Sequence, residues 1–494
     1  MASPRENEEV FRPDPRFAEN ANAHAGLYQE AARNSEDFWR MRASLVSWSR
    51  YFTAVREGEG IRGVRWFVGG ELNACFNCVD RQVDAGYGDQ DALIFEARDG
   101  SRTVLSYGAL LSEVCRMANV LTQLGASKGQ RVAIVMPTLP ETVIAMLACA
   151  RIGAVHAVSA QDTRADVLTA RFVDARPSLV LTSAKALATC REALSAAGAE
   201  AVSLLVLDGP ADGEDSHSWP SLRETASENA PVVPVAATDP LFALYAHAQD
   251  GREVALFYPT GGFLVQSAYT HRNVFDLKPG SDVYWCTAPI STIAGHSYLV
   301  YAPLLNRVPQ VICEEDPQAA PERTWEIIAR NGVSGFFTSP AQLRSQRERT
   351  PDPANSHDLS SLRVLGCGGD PIDRETWLWY REAVGGSRCP IVNTWGQKET
   401  GTAVISPLPG VTATKPGCLH RPLPALSAEV RGAQGEGGEG ELVLTTAWPS
   451  LAFTSDADSD YFDRFFPEGK DAYYTGDSAR YDADGDLWLT HEKK

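Results

Sequence analysis

The sequence has no long apolar run and no excess of basic residues. Its longest apolar stretch, Val143 to Ala150, is too short to span a bilayer and is followed by Arg151. Lys and Arg number 45 against 63 Asp and Glu, which gives a formal charge of −18. Such a charge repels nucleic-acid backbones and anionic membranes. With an acidic start that lacks the apolar core of a signal peptide, the chain is predicted to be cytoplasmic and to bind neither nucleic acid nor membrane.

Paired cysteine motifs are also scarce. Ten cysteines are spread over 494 residues, and only Cys75 and Cys78 have the spacing of a metal or redox pair. No second pair or histidine cluster completes such a site. We interpret the cysteines as small apolar core residues in a reducing compartment. Cys367 is interpreted in the same way, with a nucleophile as the alternative.

Helical and strand patterns alternate along most of the chain. Residues 104–125 have helical apolar spacing and end at Gly125, and the strand-like run QRVAIVMP ends at Pro137. The alternation predicts an α/β fold with doubly wound, mainly parallel sheets. A smaller β-rich subdomain is expected over about 405–480. There, residues 427–444 alternate on either side of a Gly/Glu-rich tip, which is typical of a β-hairpin.

Three parts of the chain differ in composition. Residues 1–35 are polar and interrupted by proline, so a surface arm is expected there. Residues 36–480 form the main domain in this interpretation, and residues 481–494 form a truncated end. Inside the main domain, residues 208–240 are acidic and rich in Pro, Gly and Ser, which predicts a surface connection.

Several ordered motifs resemble those of one enzyme family. They include GQRVAIVMPTLPETVIAMLACARIGAVHAV, DVYWCTAPISTIAGHSYLVYAPL, SLRVLGCGGDPI, NTWGQKETG and YYTGDSARYDADGDLWLT. By these motifs the chain is identified as an acetyl-CoA synthetase-like member of the acyl-adenylate-forming (ANL, AMP-binding) superfamily. The resemblance implies a large domain of two sheet-and-helix subdomains and a β-barrel-like one. It also implies an activity that makes an acyl-adenylate from ATP and a carboxylate, then passes the acyl group to CoA.

The resemblance also implies a nucleotide site that uses ATP, Mg²⁺ and CoA. Asp477 corresponds to the carboxylate that grips the ribose hydroxyls, and Glu399 corresponds to the Mg²⁺ ligand. The positions that pack on adenine or neighbour it in the motifs are Gly369, Asp370, Pro371, Thr394, Trp395 and Gln397.

The phosphate loop departs from the family pattern. The family has Tyr-Thr-Ser-Gly-Ser-Thr-Gly-Lys-Pro-Lys-Gly, whereas residues 245–255 read Tyr-Ala-His-Ala-Gln-Asp-Gly-Arg-Glu-Val-Ala. Filling a left-handed position with a residue that has a Cβ costs roughly 1 to 2 kcal/mol, so losing two glycines reshapes the loop. Asp250 and Glu253 would oppose a polyphosphate, at roughly 4 kcal/mol for one unit pair 4 Å apart. We predict that ATP binds poorly or not at all.

Two other departures point the same way. Ala160, Gln161, Asp162 and Thr163 replace the Phe-Gly-Gly-Phe found near the CoA tunnel in the family. Glu492 stands where the family has an Arg that leads to a small C-terminal domain carrying the adenylation lysine. We expect that domain to be absent, either because the protein evolved without it or because the chain was cut. A cation opposite the transferring phosphate would be lost with it.

The acyl pocket is expected to be enlarged. Acetate-specific members wall it with two Trp, two Val and a Thr, and at those positions this chain has Thr292, Ile293, Ala294, Gly368 and Gly396. An aromatic side chain buries about 150–250 Å², so replacing two Trp and a Val should leave a larger cavity. Selection for a bigger ligand and collapse of neighbouring side chains are the two alternatives.

Candidate catalytic residues are predicted on and near the altered loop. His247 beside Asp250 could act as a general base or acid near neutral pH. Lys398 could orient a carboxylate or stabilise an oxyanion. For each, the alternative is a solvated surface side chain. Asp162 and His296 are expected near the same sites, with a structural hydrogen bond for His296.

Three functions stay open. The favoured one is an acetyl-CoA synthetase-like scaffold that binds or transforms a carboxylate or acyl substrate larger than acetate, as an acyl-thioester or acyl-adenylate, without ATP-dependent adenylation. The second is a divergent acyl-CoA synthetase that lacks or borrows its C-terminal domain. The third is a non-catalytic binding partner. Beside the small-molecule substrate, the candidate partners are a carrier protein and a separate C-terminal-domain protein.

Overall fold

The computed structural model describes residues 9–314, 321–433, 435 and 437–491. In these ranges the chain forms two seven-stranded sheets, one four-stranded sheet and two two-stranded ribbons, together with helices. The predicted α/β class is confirmed. Glu492, at which the family pattern changes, lies outside the described residues.

Sheet A is formed by residues from 131 to 259. Its strands, in spatial order, are Ser216–Ser218, Leu204–Val206, Leu179–Thr182, Arg131–Val135, Val155–Ser159, Pro240–His247 and Glu253–Pro259. Neighbouring strands are parallel except for the last pair, which is antiparallel. The helices of this part are Tyr107–Gln123, Pro140–Ile152, Ala165–Ala175, Leu187–Ala196, Trp219–Arg223 and Thr260–Val274.

Helix Pro140–Ile152 shows how the sequence sets the ends of an element. Pro140 occupies the first helical position, where the missing N–H has no intrahelical partner to lose, and Gly153 ends the helix with a φ of 74°. All residues from Thr142 to Ile152 are buried. A helix that is buried all round needs cover on every side, and helix Tyr107–Gln123 packs on it.

Sheet B positions the candidate site. Its strands, in spatial order, are Ile391–Thr394, Val364–Gly368, Gly335–Thr338, Tyr284–Cys286, Gln310–Cys313, Asp91–Glu96 and Arg102–Ser106. Only the last pair is antiparallel. The helices of this part are Ala302–Leu305, Pro321–Asn331, Pro340–Arg349 and Arg374–Trp379, and a π-helix spans Gly295–Tyr301. The two large sheets thus follow the predicted doubly wound pattern, each with one antiparallel edge.

Sheet C is antiparallel and consists of Ala428–Arg431, Gly440–Leu444, Tyr473–Tyr481 and Leu487–His491. Its first two strands are the hairpin predicted within 427–444. The sheet continues to His491, past the expected boundary at 480.

Two segments expected on the surface are more ordered than their composition indicates. In the N-terminal segment, Ala23, Leu27 and Ala31 are buried, so its second half is anchored in the core, whereas helix Pro15–Asn20 has no buried residue. The segment 208–240 contributes an edge strand of sheet A and a short helix as well as a connection. The remaining elements are helices Pro15–Asn20, Gly26–Arg33 and Ser35–Arg42, ribbons Ala54–Glu57 with Arg65–Val68 and Glu71–Leu72 with Val235–Ala236, π-helices Phe76–Asp80, Val83–Tyr87 and Tyr380–Val384, and 3₁₀ segments Ala43–Leu45, Pro353–Asn355 and Asp456–Arg464.

The cysteines pack as core residues. All ten are free thiols, and only Cys313 is not fully buried. Burial raises the pKa of Cys367 to about 12, so this thiol is protonated and is a poor nucleophile. Among the described residues, no helix combines the length and the hydropathy of a membrane span.

Candidate functional site

An apolar cavity opens at the carboxyl ends of three adjacent strands of sheet B. Thr338, Gly368 and Thr394 are the last residues of these strands, and all three line the cavity, which has a volume of about 330 Å³. The carboxyl edge of a parallel sheet is the side on which such folds bind ligands. We call this chamber the apolar cavity.

All five predicted pocket residues line the apolar cavity, namely Thr292, Ile293, Ala294, Gly368 and Gly396. Close packing also favours glycine at positions 368 and 396. A Cβ on Gly368 would lie 2.3 Å from Thr394 Oγ1, and a Cβ on Gly396 would lie 2.7 Å from the carbonyl oxygen of Thr402. Close approach of the neighbouring strand and loop therefore favours glycine at both positions, besides the space that it leaves for a ligand.

A second chamber, the polar cavity, adjoins the first and has a volume of about 290 Å³. The two chambers share four wall residues: Gly369, Thr394, Gly396 and Gln397. The predicted nucleotide residues in the wall of the polar cavity are Gly369, Asp370, Thr394, Trp395, Gln397 and Asp477. Pro371 is not among its lining residues, and the Pro371 carbonyl accepts from Arg344 Nη1 at 3.3 Å.

Asp477 is buried and fixed by hydrogen bonds at this wall. Its Oδ2 accepts from Trp395 Nε1 at 3.0 Å and from Gln397 Nε2 at 3.3 Å. The hydroxyl of Tyr473 donates to Gln397 Oε1 at 2.7 Å and so orients that amide. An oriented carboxylate of this kind is a strong acceptor for hydroxyl groups.

Lys398 is the predicted catalytic residue that lies at a cavity wall. It lines the polar cavity, and its Nζ donates to the carbonyl oxygen of Tyr245 at 2.7 Å. Burial lowers the pKa of the Lys398 ammonium group. A partly desolvated cation here can attract an anionic group in the chamber.

The altered loop is a tight β-hairpin between the last two strands of sheet A. The N–H of Ala248 donates to the carbonyl of Arg252 at 2.8 Å, and the N–H of Gly251 donates to the carbonyl of Ala248 at 3.0 Å. The N–H of Arg252 donates to Asp250 Oδ1 at 3.0 Å. Gly251 has a φ of 84°, which suits glycine. These N–H groups bond within the hairpin, so they do not form an open phosphate-binding nest.

The charged side chains of the loop are paired as well. Arg252 Nε lies 2.6 Å from Asp250 Oδ2, Nη1 lies 3.1 Å from Asp458 Oδ1, and Nη2 lies 2.9 Å from Asp460 Oδ2. Hydrogen bonds from Arg252 lower the pKa of Asp250, so this carboxylate is charged at neutral pH. One cation thus lies among three carboxylates.

The predicted pairing of His247 with Asp250 is wrong. His247 Nδ1 lies 2.5 Å from Glu253 Oε1, and Arg171 Nε donates to Glu253 Oε2 at 2.8 Å. Because side chains alternate across a strand, His247 shares its sheet face with Tyr245, whose hydroxyl donates to the carbonyl of Arg171 at 3.1 Å. The described residues that line the polar cavity include neither His247 nor Asp250. Their catalytic role stays a prediction that the geometry does not favour.

Glu399 is also bonded inside the protein. It is 6% exposed, the hydroxyl of Tyr461 donates to its Oε1, and Arg464 Nη2 lies 3.6 Å from the same oxygen. A Mg²⁺ ion at Glu399 would have to compete with these two groups. The metal assignment therefore stays a prediction.

His296 has the structural contacts expected of it. Its Nδ1 lies 2.9 Å from the carbonyl oxygen of Thr292, and its ring centroid lies 4.3 Å from that of Phe242. Burial lowers the pKa of His296 to about 4, so the ring is neutral at physiological pH.

Sequence reasoning missed a polar cluster at the edge of the apolar cavity. Thr287 Oγ1 lies 2.8 Å from Thr338 Oγ1 and 2.5 Å from Gln342 Oε1. Thr287 and Gln342 also line a third cavity, of about 520 Å³, whose wall includes Asp162. The sequence feature that could have revealed this cluster is the position of Thr338 at the end of a buried strand.

The chain matches two family models. The model of the AMP-binding enzymes matches residues 79–451, and the model of the acetyl-coenzyme A synthetase N-terminus matches residues 24–78. An acetyl-coenzyme A synthetase of Streptomyces avermitilis is 42% identical over 509 aligned residues, which cover 99% of this chain and 78% of that protein. A protein of the same name from Mycolicibacterium smegmatis is 41% identical, with 97% of this chain and 54% of that protein covered.

One solved structure supports the fold. An acetoacetyl-CoA synthetase from Streptomyces lividans superposes on this chain with a TM-score of 0.87. The superposition covers 97% of this chain and 79% of that chain, at 21% sequence identity.

Proposed function

The chain belongs to the AMP-binding enzyme family, and from this premise we propose that it binds a carboxylate or acyl substrate larger than acetate, as an acyl-adenylate or acyl-thioester, with little ATP-dependent adenylation of its own. The proposal rests on the junction of the two cavities. An apolar chamber of about 330 Å³ opens through shared wall residues into a polar chamber of about 290 Å³. An acyl-adenylate has the same two parts, an acyl chain joined to a polar nucleotide.

The size of the apolar cavity supports a substrate larger than acetate. Pockets for drug-sized ligands have volumes of about 300–1,000 Å³. An acetyl group would leave most of this chamber empty, and an empty apolar space costs stability. We infer that an acyl chain of several carbons fills it.

The hairpin at residues 247–253 supports the proposal that the protein carries out little ATP-dependent adenylation. The wall of the polar cavity offers Asp477 for hydroxyl groups and Lys398 for one phosphoryl group. The N–H groups of Ala248, Gly251 and Arg252, which a polyphosphate would need, are already bonded within the loop. The residues present therefore fit the nucleoside monophosphate part of ATP better than the rest of it.

A divergent acyl-CoA synthetase is the second candidate. A relative with 42% identity is named acetyl-coenzyme A synthetase, and the family's Asp477 and Gln397 positions lie in a formed cavity. In this case ATP, Mg²⁺ and CoA would be the cofactors, and Glu399 would hold the ion. A carrier protein or a separate C-terminal-domain protein would be the partner of either candidate.

Thermal shifts with non-hydrolysable acetyl-, butyryl- and octanoyl-adenylate analogues test the proposal. We expect the octanoyl analogue to stabilise the protein most, and ATP–pyrophosphate exchange with the matching carboxylates to stay at background. Ala294→Phe, which fills the apolar cavity, should abolish the preference for octanoyl. The control Ala196→Phe lies on the exposed end of helix Leu187–Ala196 and should keep it.

Two results would contradict this proposal. The largest shift with the acetyl analogue would exclude the larger substrate. Strong exchange with any carboxylate would establish adenylation and select the second candidate.

A further inference from the structure

One short segment contacts both Arg252 and Glu399, the cation and the carboxylate that a Mg²⁺-bound polyphosphate would need. Residues Asp456–Arg464 form a 3₁₀ segment, which we call the strap. Asp458 and Asp460 of the strap bind Arg252, the cation of the hairpin. At its other end, Tyr461 and Arg464 bind the carboxylate of Glu399.

We propose that the strap makes the site select against nucleoside triphosphates and in favour of adenylates with a single phosphoryl group, with Asp458 and Asp460 as the specificity-determining residues. This inference rests on the proposed function and adds to it the phosphate class of the ligand.

Charge supports the selection. Arg252 carries one positive charge, and Asp250, Asp458 and Asp460 carry three negative charges, so the group has a net charge of −2. The side chains of Asp250 and Asp460 are 54% and 61% exposed, and they therefore face any anion that approaches from solvent. The repulsion acts over about one Debye length, roughly 8 Å at physiological salt, so it acts on phosphates held at the hairpin.

A positive charge, that of Lys398, lies at the wall of the polar cavity. Lys398 lines the polar cavity and is joined to the base of the hairpin through the carbonyl of Tyr245. A single phosphoryl group in the cavity would meet this cation before it reached the carboxylates. A longer polyphosphate would extend from Lys398 towards Asp250 and the strap. The field thus changes sign along the path that separates a monophosphate from a triphosphate.

The strap also limits metal binding. Mg²⁺ prefers carboxylate and phosphate oxygens in near-ideal octahedral geometry. Glu399 Oε1 already accepts from Tyr461 and lies 3.6 Å from Arg464. A Mg²⁺-bound triphosphate would have to compete with both groups for this carboxylate, whereas a monophosphate needs no such ion.

Calorimetric titrations of ATP and AMP, with Mg²⁺ present, test the selection. In Asp458→Asn/Asp460→Asn we expect the dissociation constant for ATP to fall about tenfold and that for AMP to change by less than about twofold. The control Asp463→Asn/Glu468→Gln makes the same change in net charge next to these positions. Asp463 pairs with Arg62 instead of Arg252, and Glu468 is exposed, so neither constant should change.

A second variant tests the metal half without a change in charge. Tyr461→Phe removes the hydrogen bond to Glu399 and should make ATP affinity more dependent on Mg²⁺. Thermal unfolding verifies that each variant is folded. If the double variant is not, the single Asp460→Asn change at a 61% exposed side chain gives the same comparison.

An unchanged ratio of ATP to AMP affinity in Asp458→Asn/Asp460→Asn would overturn the inference, and so would an equal change in the control Asp463→Asn/Glu468→Gln. Binding of the octanoyl-adenylate analogue by the parent protein reports on the proposed function separately. If the parent binds that analogue while the ratio stays constant, the strap inference alone fails. If the parent binds neither that analogue nor AMP, the acyl-adenylate form of the proposed function fails, and the strap inference fails with it.

Discussion

At the scale of single residues, the polar cavity depends on a buried carboxylate that is oriented by two side-chain donors. Trp395 and Gln397 both donate to Asp477 Oδ2, and Tyr473 holds the Gln397 amide in place. Orientation matters because a fixed acceptor does not lose side-chain entropy when a ligand binds. We propose that the vicinal hydroxyls of a ribose bind to this carboxylate.

Asp477→Asn should weaken AMP binding. The change keeps the size of the side chain but removes its charge, and a hydrogen bond to a charged group contributes about 1.5–3 kcal/mol. We therefore expect the dissociation constant for AMP, measured by calorimetry, to rise by about tenfold to a hundredfold. Tyr473→Phe removes only the hydroxyl that orients Gln397 and should cause a smaller rise. Equal AMP affinity in Asp477→Asn and the parent would exclude this carboxylate from nucleotide binding.

The partner of His247 shows why some side-chain contacts could not be predicted. In the sequence, Asp250 is three positions away and is the nearest carboxylate. In the hairpin, strand register places His247 directly opposite Glu253. Register depends on how many residues the turn uses: a two-residue turn at Asp250-Gly251 would place Val254 opposite His247, whereas the observed turn pairs Ala248 with Arg252. The five pocket residues were predictable because they flank recognisable motifs.

At the scale of elements, one lysine ties the turn between the last two strands of sheet C to the segment that precedes the sheet. Lys415 Nζ lies 2.7 Å from Asp482 Oδ2, 2.7 Å from Asp484 Oδ2 and 2.9 Å from Asp486 Oδ2. Burial opposes the ionisation of Asp482, but hydrogen bonds from Lys415 and Trp488 outweigh it and leave the pKa of Asp482 lowered. The turn is therefore stable only while the lysine is present to balance the carboxylates.

Lys415→Met should destabilise the protein most at neutral pH. Removing one partner of a buried ion pair costs about 3–5 kcal/mol, because Asp482 and Asp486 stay buried without their cation. A carboxylate with a lowered pKa adds stability above its unfolded value of about 4, and this contribution disappears as pH falls through the folded pKa. The deficit in the free energy of unfolding by urea should therefore be constant between pH 7 and about pH 4 and shrink below about pH 4.

The matched control for this prediction is Lys470→Met, at an exposed lysine. It should change the free energy of unfolding by less than about 0.5 kcal/mol. A Lys415→Met deficit that is the same at every pH would show that lost packing, and not the ion pairs, causes the destabilisation.

The elements of this fold differ in how far the sequence predicts them. The hairpin Ala428–Arg431 with Gly440–Leu444 was predictable, since its alternation and its glycine-rich tip are local signals. The strap was not predicted, because an acidic stretch without apolar periodicity indicates only a loop. Its role depends on Arg252, about two hundred positions earlier in the chain. Only packing brings the two together.

At the scale of the whole molecule, three histidines of the described residues have no exposed surface at all. His156 belongs to sheet A, His271 to helix Thr260–Val274, and His296 to the π-helix Gly295–Tyr301. Burial lowers the pKa of His271 to about 3 and that of His296 to about 4. Burial also lowers the pKa of His156, and repulsion by the ring of His296 lowers it further. The sequence predicts the fold class, since alternation is visible locally, but it does not show which histidines this packing buries.

These histidines should make the protein lose stability in mild acid. A histidine whose folded pKa is lowered contributes stability above its unfolded value of about 6.5, and the contribution is lost as pH falls, because only the unfolded chain binds the proton. Between pH 6.5 and 5 each such histidine lowers the free energy of unfolding by about 2 kcal/mol.

His271→Gln keeps an acceptor for Asn306 Nδ2 but does not titrate. Its free energy of unfolding by urea should therefore fall by about 2 kcal/mol less than that of the parent over this range. His24→Gln changes a side chain that is 59% exposed and should leave the pH dependence as it is in the parent. Parallel pH profiles for His271→Gln and the parent would mean that the buried rings do not govern stability in mild acid.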